Sequence, residues 1–282
     1  MRHIGIICNS KSGKGRSFRL LSLLEELLKK DELMYTIHRD NLPKLLDDYT
    51  DLVILGGDGT LNFVLNRFKE IEIPIGIIPC GTGNDIGYTL LGKRTMEEYL
   101  IKSLYGVPQP VDAGLCNGRF FLNGVGIGFD GWIVRKLWTK KWFNGKAAYY
   151  YTVLSLLLFY RETRVRLQID ESLSELKLFM FCAANGISYG GGFQLAPKAS
   201  MNDQLLDMLT VSKISLWNRL RYLPVIEKGK HLNKPIDFIR YQQAKRVIVI
   251  SDQLLQAHLD GEWIEDKHFE IHVLPSYLKI RC

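Results

Sequence analysis

Three short loops rich in glycine, hydroxyl and amide groups are the parts of this sequence best suited to chemistry. They cover residues 9–15 (NSKSGKG), 56–62 (GGDGTLN) and 79–85 (PCGTGND). Loops of this composition let backbone N–H groups approach phosphate oxygens closely. Each follows an apolar run of the kind that forms a buried strand, and ligands of parallel sheets bind outside the carboxyl ends of the strands. The three loops together predict a phosphate site.

Asp58 is an acid inside a loop that otherwise suits a polyphosphate. A carboxylate there would repel phosphate, so a cation has to lie between them. Asp58 is therefore predicted to face a magnesium ion or its water shell. A structural interpretation also fits, because Asp58 or Thr60 could cap a helix over residues 61–68.

The elements that position these loops alternate between strand and helix. This alternation predicts an α/β domain with a parallel sheet over residues 1–110. Strands are predicted at residues 4–8, near Ile37, at 52–55 and at 75–78, and helices at 17–30, 43–48 and 61–68.

From about residue 111 the pattern changes to short alternating strands separated by glycine and polar turns. The change predicts an all-β second domain over residues 111–274, built as two packed sheets, while the tail at 275–282 returns to the first domain. The predicted strands cover residues 119–122, 164–170, 176–183, 206–211, 246–251 and 268–274.

The composition is typical of a soluble globular protein with excess positive charge. The 282 residues are 46% hydrophobic and 24% charged, with a net charge of +7 and a pI of about 9.0. This charge favours an anionic partner. Scattered cysteines, an N-terminus without a signal-peptide core and no apolar run long enough to span a bilayer predict a cytoplasmic protein.

Four motifs in order give the chain a family resemblance. They are GGDGT at 56–60, PCGTGND at 79–85, GFD at 128–130 and NGISYGGGFQLAP at 185–197. With them, essentially the whole chain resembles the diacylglycerol kinase catalytic-domain family. It is similar in particular to bacterial soluble lipid kinases, which are relatives of sphingosine and ceramide kinases.

The resemblance implies an NAD-kinase-like nucleotide-binding domain followed by a β-sandwich that binds lipid and metal. It implies ATP- and Mg²⁺-dependent phosphoryl transfer to a lipid hydroxyl, with diacylglycerol, which becomes phosphatidic acid, as the first expectation. A sphingoid base, another glycerolipid or NAD remain alternative acceptors. A catalytically weak, basic membrane-binding protein of the same fold is the alternative from another class.

Motif matches also imply site residues. Asp58, Asp85 and Asp112 would surround magnesium, and Ser200, Asp203 and the backbone of Leu205 would form a structural magnesium site. The implied nucleotide contacts are Asn9, Ser10, Lys11, Ser12, Gly13, Thr36, Gly56, Gly57, Asp58, Gly59, Thr60, Leu61, Asn62, Phe63, Thr82, Asn84 and Asp85.

The chain departs from the family pattern at three places. Phe63 stands where a glutamate is common, Gln204 replaces the glycine of an Asp-Gly pair, and the customary proline after Asn9 is missing. Phe63 and Gln204 are the support for the non-catalytic alternative.

Asp260-Gly261-Glu262 places two carboxylates on either side of a glycine. Asp-Gly between alternating runs is a strong signal for a hairpin turn, so a purely structural role fits the residues equally well. The resemblance implies that Glu262 is the general base, with Asp260 as the second catalytic candidate.

Residues 132–166 contain eight Lys or Arg, one acid and three tryptophans. Basic and aromatic side chains together suit an anionic membrane surface, which predicts a peripheral protein at the inner membrane face. The other interpretation is a helix that packs its aromatic side chains into the core. No nucleic-acid recognition motif is present, and a homodimer stays open.

Overall fold

The structure is a computed structural model that describes residues 2–81, 83–139, 146–190, 192–233 and 235–282. The chain forms two compact units. Unit 1 comprises Met1–Ala113 and Pro275–Cys282, and unit 2 comprises Gly114–Leu274. The tail thus belongs to unit 1, and the first crossing between units lies near the domain boundary placed at residue 110 from the sequence.

Unit 1 alternates strands with helices along the chain. Its elements are β1 (His3–Cys8), α1 (Arg16–Lys30), β2 (Met34–Arg39), β3 (Asp51–Gly56), α2 (Asp58–Phe68), β4 (Ile75–Pro79), α3 (Asp85–Leu91), α4 (Met96–Tyr105) and β5 (Pro108–Cys116), whose last residues enter unit 2. In the sheet, β1 pairs in parallel with β2 and β3, and β3 pairs in parallel with β4. The carboxyl ends of β1, β3 and β4, where the three loops begin, therefore lie at one sheet edge.

The core of unit 1 is formed by its apolar strands and one side of α1. Leu20, Leu21, Leu24 and Leu28 recur at helical spacing and are buried against residues of β1 and β3. Burial of such a side chain stabilises the fold by roughly 1.5–3 kcal/mol relative to its exposure.

The helix predicted over residues 43–48 is wrong. These residues form bends and a turn, in which the Tyr49 amide donates to the Leu46 carbonyl at 3.0 Å. A six-residue helix offers few hydrogen bonds against its nucleation cost, and Asp47 and Asp48 would place negative charge at its negative end.

The six strands predicted for this domain are all present in unit 2, but helices lie between them, so the prediction is wrong only in that the domain is not all β. Its elements are β6 (Arg119–Phe121), β7 (Gly124–Gly128), α5 (Phe129–Thr139), α6 (Lys146–Phe159), β8 (Thr163–Ile169), β9 (Ser172–Ala184), β10 (Leu206–Ser212), α7 (Leu216–Glu227), β11 (Ile239–Ala244), β12 (Arg246–Leu259) and β13 (Glu262–Arg281), which runs on into unit 1. The apolar run at residues 153–159 lies in α6. Such short runs have no clear period, so the sequence did not distinguish a helix there.

Two long strands hold the β-structure of unit 2 together. The first half of β9 pairs with β8 and its second half with β7, and β12 does the same. The register of β12 shifts between Ile250 and Leu255, a bulge or irregularity between the part that pairs with β8 and the part that pairs with β7. Apolar residues of these strands form one buried cluster, which includes Phe181, Val247 and Phe269.

No helix of the described ranges combines the length and the hydropathy that a membrane-spanning helix needs.

Candidate active site

Two glycine loops of unit 1 touch through their backbones. A Cβ atom built on Gly57 would lie 2.9 Å from the Cα of Gly81, and one built on Gly81 would lie 2.7 Å from the Cα of Gly57. A Cβ on Gly56 would lie 2.5 Å from the Thr60 side chain. Side chains at these positions would push apart the loops that follow β3 and β4, which explains why the strand ends in glycines.

Asn9 links the loop after β1 to the loop after β3. Its Nδ2 donates to Thr60 Oγ1 at 3.0 Å, and its Oδ1 accepts from the Lys11 amide at 3.1 Å. Gly13, at φ +62°, lies against the third loop, because its Cβ would be 2.2 Å from the Cys80 carbonyl oxygen. The structure thus brings the three predicted loops together.

A cavity of about 590 Å³ lies at this edge of unit 1. Its size suits a small-molecule ligand. Lys11 and Arg67 contribute positive charge, which favours an anionic ligand. Its lining comprises Ile7, Cys8, Asn9, Lys11, Asp40, Asn41, Leu42, Gly59, Thr60, Phe63 and Arg67.

Asp40 and Arg67 are lining residues that the sequence analysis missed. Ser10 donates to the Asp40 carboxylate from its amide at 2.8 Å and from its hydroxyl at 2.5 Å. These hydrogen bonds lower the pKa of Asp40. The available signal was its position directly after β2, whose carboxyl end lies at the same sheet edge as the loops.

Asp58 caps a helix, although not the helix expected from the sequence. Its Oδ2 accepts from the Asp85 amide at 3.1 Å and its Oδ1 from the Ile86 amide at 3.1 Å, so it caps α3. Gly57, not Asp58 or Thr60, is the N-cap of α2. Asp58 therefore holds the second and third loops together in addition to any role toward a cation.

Asp58, Asp85 and Asn84 form an oxygen-rich corner. A Cβ on Gly83 would lie 3.2 Å from Asp58 Oδ2 and 3.7 Å from Asp85 Oδ2, so both carboxylates face one point. Asn84 is buried; its Nδ2 donates to the Gly81 carbonyl at 2.8 Å, but its Oδ1 accepts no hydrogen bond from the described residues. Hard oxygen ligands of this kind fit magnesium and its water shell.

Several predicted nucleotide contacts have other surroundings. Thr36 lies inside β2, where its hydroxyl contacts His3 Nε2 at 3.0 Å, and not at the end of the strand. Leu61 and Asn62 are buried in α2, so only their backbones can reach the edge. Thr82 lies outside the described residues.

Asp112 is buried in β5 and accepts from the Ser276 amide at 2.6 Å. Across residues 2–81, 83–139, 146–190, 192–233 and 235–282, no group of three or more His, Cys, Asp or Glu side chains is arranged to hold a metal. The acidic set of Asp58, Asp85 and Asp112 is therefore not gathered into one cluster, and the metal role of Asp112 stays a prediction.

In unit 2, Asp260 and Gly261 form the turn between β12 and β13. Both have positive φ, +48° and +87°, as a tight two-residue hairpin turn requires. The Asp260 carboxylate accepts from the amides of Leu122, Asn123 and Gly124 at 2.8, 2.8 and 2.9 Å. Its oxygens are thus occupied in holding the turn against residues 122–124, which leaves Asp260 poorly placed to accept a proton from a substrate.

Glu262 is the first residue of β13 and is half-buried. In contrast to Asp260, its carboxylate makes no hydrogen bond or ion pair with the described residues. A carboxylate that is fixed at its backbone by a strand and free at its oxygens can accept a proton.

A buried pair of side chains, His258 and Asp130, contacts this hairpin. His258 Nε2 lies 2.9 Å from Asp130 Oδ2, and the Gly261 amide donates to His258 Nδ1 at 3.2 Å. Burial lowers the pKa of His258, but the adjacent Asp130 carboxylate outweighs burial and raises it. A Cβ on Gly126 would lie 2.3 Å from Asp130 Oδ2 and 2.5 Å from His258 Nε2, so glycine makes room for the pair. The sequence analysis used Asp130 only as part of a motif and missed His258.

A narrow apolar cavity of about 60 Å³ lies in unit 2. Asp130 is at its wall, and so is Arg219, which pairs with Glu162 at 2.7 Å. Burial raises the pKa of Glu162, but hydrogen bonds, including the one from Arg219, outweigh it and lower the pKa. The other lining residues are Phe129, Ile133, Val153, Leu157, Phe179, Met180, Tyr189, Phe193, Leu195, Val211, Ile214, Tyr222, Leu223 and Ile226.

Two carboxylates, those of Asp203 and Asp207, bear on the predicted structural metal site. The first is hydrogen-bonded, and the second has one oxygen without a partner among the described residues. Asp203 accepts from the Leu205 amide at 3.1 Å and from Gln243 Nε2 at 3.0 Å. Asp207, which the sequence analysis missed, is buried; its Oδ1 accepts from Tyr241 at 2.7 Å, and its Oδ2 has no partner among the described residues. Burial and the nearby Asp203 raise the pKa of Asp207. A cation would satisfy the spare oxygen.

The predicted Ser200 lies in the same loop and donates to Asn202 Oδ1 at 2.7 Å.

Comparison with known proteins gives this geometry a family. Residues 3–116 match the model of the diacylglycerol kinase catalytic domain, and residues 123–282 match the YegS C-terminal NAD kinase beta sandwich-like domain. The chain belongs to the diacylglycerol kinase catalytic-domain family. The family predicted from the four motifs is thereby confirmed.

Relatives of the family cover most of the chain. A diacylglycerol kinase of Bacillus subtilis is 32% identical over 77% of this chain and 73% of its own length. One of Mycobacterium tuberculosis is 30% identical over 82% of this chain and 76% of its own length.

Solved structures share the fold. That of a diacylglycerol kinase from Bacillus anthracis has a TM-score of 0.76 at 22% identity, covering 99% of this chain and 96% of that one. An NAD kinase from Archaeoglobus fulgidus in complex with ATP has a TM-score of 0.57 at 15% identity, covering 99% and 93%.

Two departures of this diacylglycerol kinase family member can now be placed. Phe63 is 61% exposed at the wall of the unit 1 cavity, where it adds apolar surface. Gln204 has φ +64°, a left-handed conformation that favours glycine, which accounts for the glycine common at this place in the family.

Proposed function

We propose that this protein is an ATP- and Mg²⁺-dependent lipid kinase that transfers the γ-phosphate of ATP to a lipid hydroxyl, with diacylglycerol as the acceptor. Relatives at about 30% identity that are named diacylglycerol kinases support the reaction class. The ATP complex of a protein with the same fold supports the nucleotide. The observation that carries the proposal is the contrast between Glu262, whose carboxylate has no partner among the described residues, and Asp260, whose carboxylate is engaged in holding the same hairpin.

Unit 1 binds the nucleotide in this proposal. The backbone amides of the three loops face phosphate oxygens, and Lys11 and Arg67 add positive charge to the cavity. Asn9 and Thr60 hold the first two loops in register through their shared hydrogen bond. Such fixed donors need little rearrangement when phosphate arrives, which is the main way a protein accelerates phosphoryl transfer.

Asp58 and Asp85 would hold the magnesium ion through its water shell, with Asn84 Oδ1 as a further oxygen. Bound there, the ion supplies charge neutralisation for the phosphate oxygens. The side chains hold the corner in place, because Asp58 is itself fixed by the two amides of α3.

Glu262 is the general base of the proposed reaction. Its carboxylate accepts the proton of the lipid hydroxyl while the hydroxyl oxygen forms a bond to the γ-phosphorus. The bond from that phosphorus to the β,γ-bridging oxygen breaks, and ADP leaves with the electron pair. Asp260 and the His258–Asp130 pair keep the hairpin that carries Glu262 in position.

The apolar cavity of unit 2 supports a lipid acceptor. Its lining is apolar except near Asp130 and Arg219. At about 60 Å³ it has room for a short run of methylene groups, so a full acyl chain would require side chains to move apart.

The test is transfer of labelled phosphate from ATP to lipids in mixed micelles. Diacylglycerol, monoacylglycerol, a sphingoid base and ceramide are compared, with NAD as a soluble acceptor and the Glu262→Gln variant as control. We expect magnesium-dependent label in phosphatidic acid that the variant lacks. Label in another product would reassign the acceptor. No label in any product, with ATP still bound, would favour the binding protein of the same fold.

A further inference from the structure

The helices α6 and α7 of unit 2 present large apolar side chains to solvent. Trp217 is 83% exposed and Phe159 80% exposed. We call this set the α6–α7 face; it comprises Tyr151, Leu154, Leu158 and Phe159 of α6 and Leu216, Trp217 and Leu220 of α7. Isolated exposed apolar residues are ordinary, but seven on two helices that pack on each other are not.

The exposed side chains of α6 lie on one side of the helix. Tyr151, Leu154 and Leu158 recur at intervals of three and four and form one stripe of α6. Val153 and Leu157, on the opposite side, are buried. The described side chains of α6 carry no charge, and only one side of them is covered by the protein. Such a helix lacks the polar face of an ordinary surface helix.

Positive charge surrounds the α6–α7 face. Arg161 follows α6, Lys213 precedes α7, and Arg221 lies within α7; all three are exposed. None forms an ion pair with the described residues. The nearby acids are engaged, since Glu162 pairs with Arg219, and Glu227 accepts from the Tyr150 hydroxyl.

The same two helices also form part of the wall of the apolar cavity. Val153 and Leu157 of α6 and Leu223 and Ile226 of α7 line it from the inside. The α6–α7 face and the cavity therefore lie on opposite sides of one helix pair. A molecule held in an apolar layer against the face would be separated from the cavity by the helices α6 and α7 themselves.

We propose that the α6–α7 face docks onto the surface of an anionic phospholipid bilayer. The tryptophan, tyrosine and leucine side chains enter the interface, and Arg161, Lys213 and Arg221 contact the headgroups. A second copy of the chain fits less well, because its own positive rim would meet this one. The proposal concerns how the protein reaches its acceptor and so rests on the proposed lipid kinase function, although docking itself is measured without any reaction.

This face overlaps in part with the segment that the sequence indicated, residues 132–166. Its α6 residues and Arg161 lie within that segment, whereas its α7 residues, Lys213 and Arg221 lie outside it. In that segment Trp132 packs against the core of unit 2 under the Arg135 guanidinium, at 4.6 Å from the ring centroid, whereas Trp138 is 48% exposed. Lys140, Lys141 and Trp142 lie outside the described residues. The strongest exposed anchor, Trp217, is outside the segment.

The test is co-sedimentation with vesicles of equal parts phosphatidylcholine and phosphatidylglycerol, without ATP. Replacing Leu158 and Trp217 together by Gln should weaken binding roughly 10²-fold, since two large side chains no longer enter the interface. The matched control is Leu173→Gln, which alters a residue that is 70% exposed at the start of β9. It should bind as the unaltered protein does.

Equal vesicle binding by the double variant and the unaltered protein would overturn the proposal. Equally tight binding to vesicles of pure phosphatidylcholine would contradict the proposed role of anionic lipid. If the unaltered protein self-associates in analytical ultracentrifugation and the double variant does not, with vesicle binding unchanged, the face is a contact between copies. Transfer in detergent micelles separates the two proposals: vesicle binding without any transfer would end the kinase proposal and leave docking standing.

Discussion

His258 Nε2 lies 2.9 Å from Asp130 Oδ2 in the interior of unit 2, and both side chains are buried. The other ring nitrogen of His258 accepts from the amide of Gly261, the residue just before Glu262. Asp130, distant in sequence, thus acts on Glu262 through the imidazole ring and one backbone amide. The pair is a positioning device for the hairpin.

Breaking the contact between His258 and Asp130 should slow phosphoryl transfer without weakening ATP binding. Asp130→Asn is expected to lower kcat roughly 10–100-fold, because the carboxylate of Glu262 loses its fixed position. Gly126→Ala should do the same, since its Cβ would occupy the space between the two side chains. Steady-state kinetics should show an unchanged KM for ATP. The control Glu270→Gln, which breaks an exposed pair with Arg246, should be kinetically silent. Normal turnover in both pair variants would remove the positioning role.

Substitution of Glu262 should affect mainly activity, whereas substitution of Asp260 should affect stability. Glu262→Gln removes a proton acceptor that makes no hydrogen bond or ion pair with the described residues, so Tm should hold while turnover falls roughly 10²–10⁴-fold. Asp260→Asn should lower stability by about 1–3 kcal/mol, because an amide cannot accept from all three backbone donors. Thermal melting and turnover are measured on both variants. A stable, inactive Asp260→Asn beside an active Glu262→Gln would show that the wrong carboxylate has been assigned.

Asp58→Asn should impair both activity and stability. The loss of charge at the phosphate corner should lower turnover by roughly 10²-fold or more. The Asn amide group would also face one of the two α3 backbone donors, which should cost about 1–2 kcal/mol. Asp85→Asn leaves that cap in place, so it should lose activity with a smaller change in Tm. If Asp58→Asn is unstable but fully active per folded molecule, Asp58 is only a cap.

Magnesium should stabilise the protein in the absence of nucleotide. An ion bound only by the folded state raises Tm by mass action, and Asp207 Oδ2 offers it an unused buried oxygen. Asp203→Ala and Asp207→Asn should each abolish the rise, and Asp252→Asn, an exposed carboxylate elsewhere in unit 2, should retain it. Differential scanning fluorimetry with and without magnesium is the measurement. The same rise in all variants would place the ion elsewhere.

Asp51 should make the stability of unit 1 depend on acid pH. Burial raises the pKa of Asp51, but hydrogen bonds from Arg2, Arg281 and Thr50 outweigh it and lower the pKa from its ordinary value. A lowered folded-state pKa stabilises the fold above the unfolded-state pKa, and this contribution is lost as the pH falls through the folded-state value. Asp51→Asn should therefore cost about 3 kcal/mol at neutral pH and progressively less below about pH 4. Urea unfolding across this range measures the difference, and a constant difference would contradict the assignment.

The sequence by itself determined the family, the three glycine loops and the strands that carry them. These features are local: apolar runs, glycine at sterically restricted positions and a fixed order of short motifs. The turn at Asp260-Gly261 could also be predicted from the sequence, because a hairpin turn with two positive φ angles favours those residue types.

Only the tertiary structure decided which carboxylates are engaged and which are free. Asp58 meets α3, Asp260 meets residues 122–124, and Asp130 meets His258 through contacts between residues far apart in sequence. A helix within residues 132–166 stayed one of two interpretations, because an apolar stretch such as residues 153–159 has the same composition in a helix and in a strand. Its burial on one side and exposure on the other arise from what packs against it, and that depends on chain segments that local periodicity does not contain.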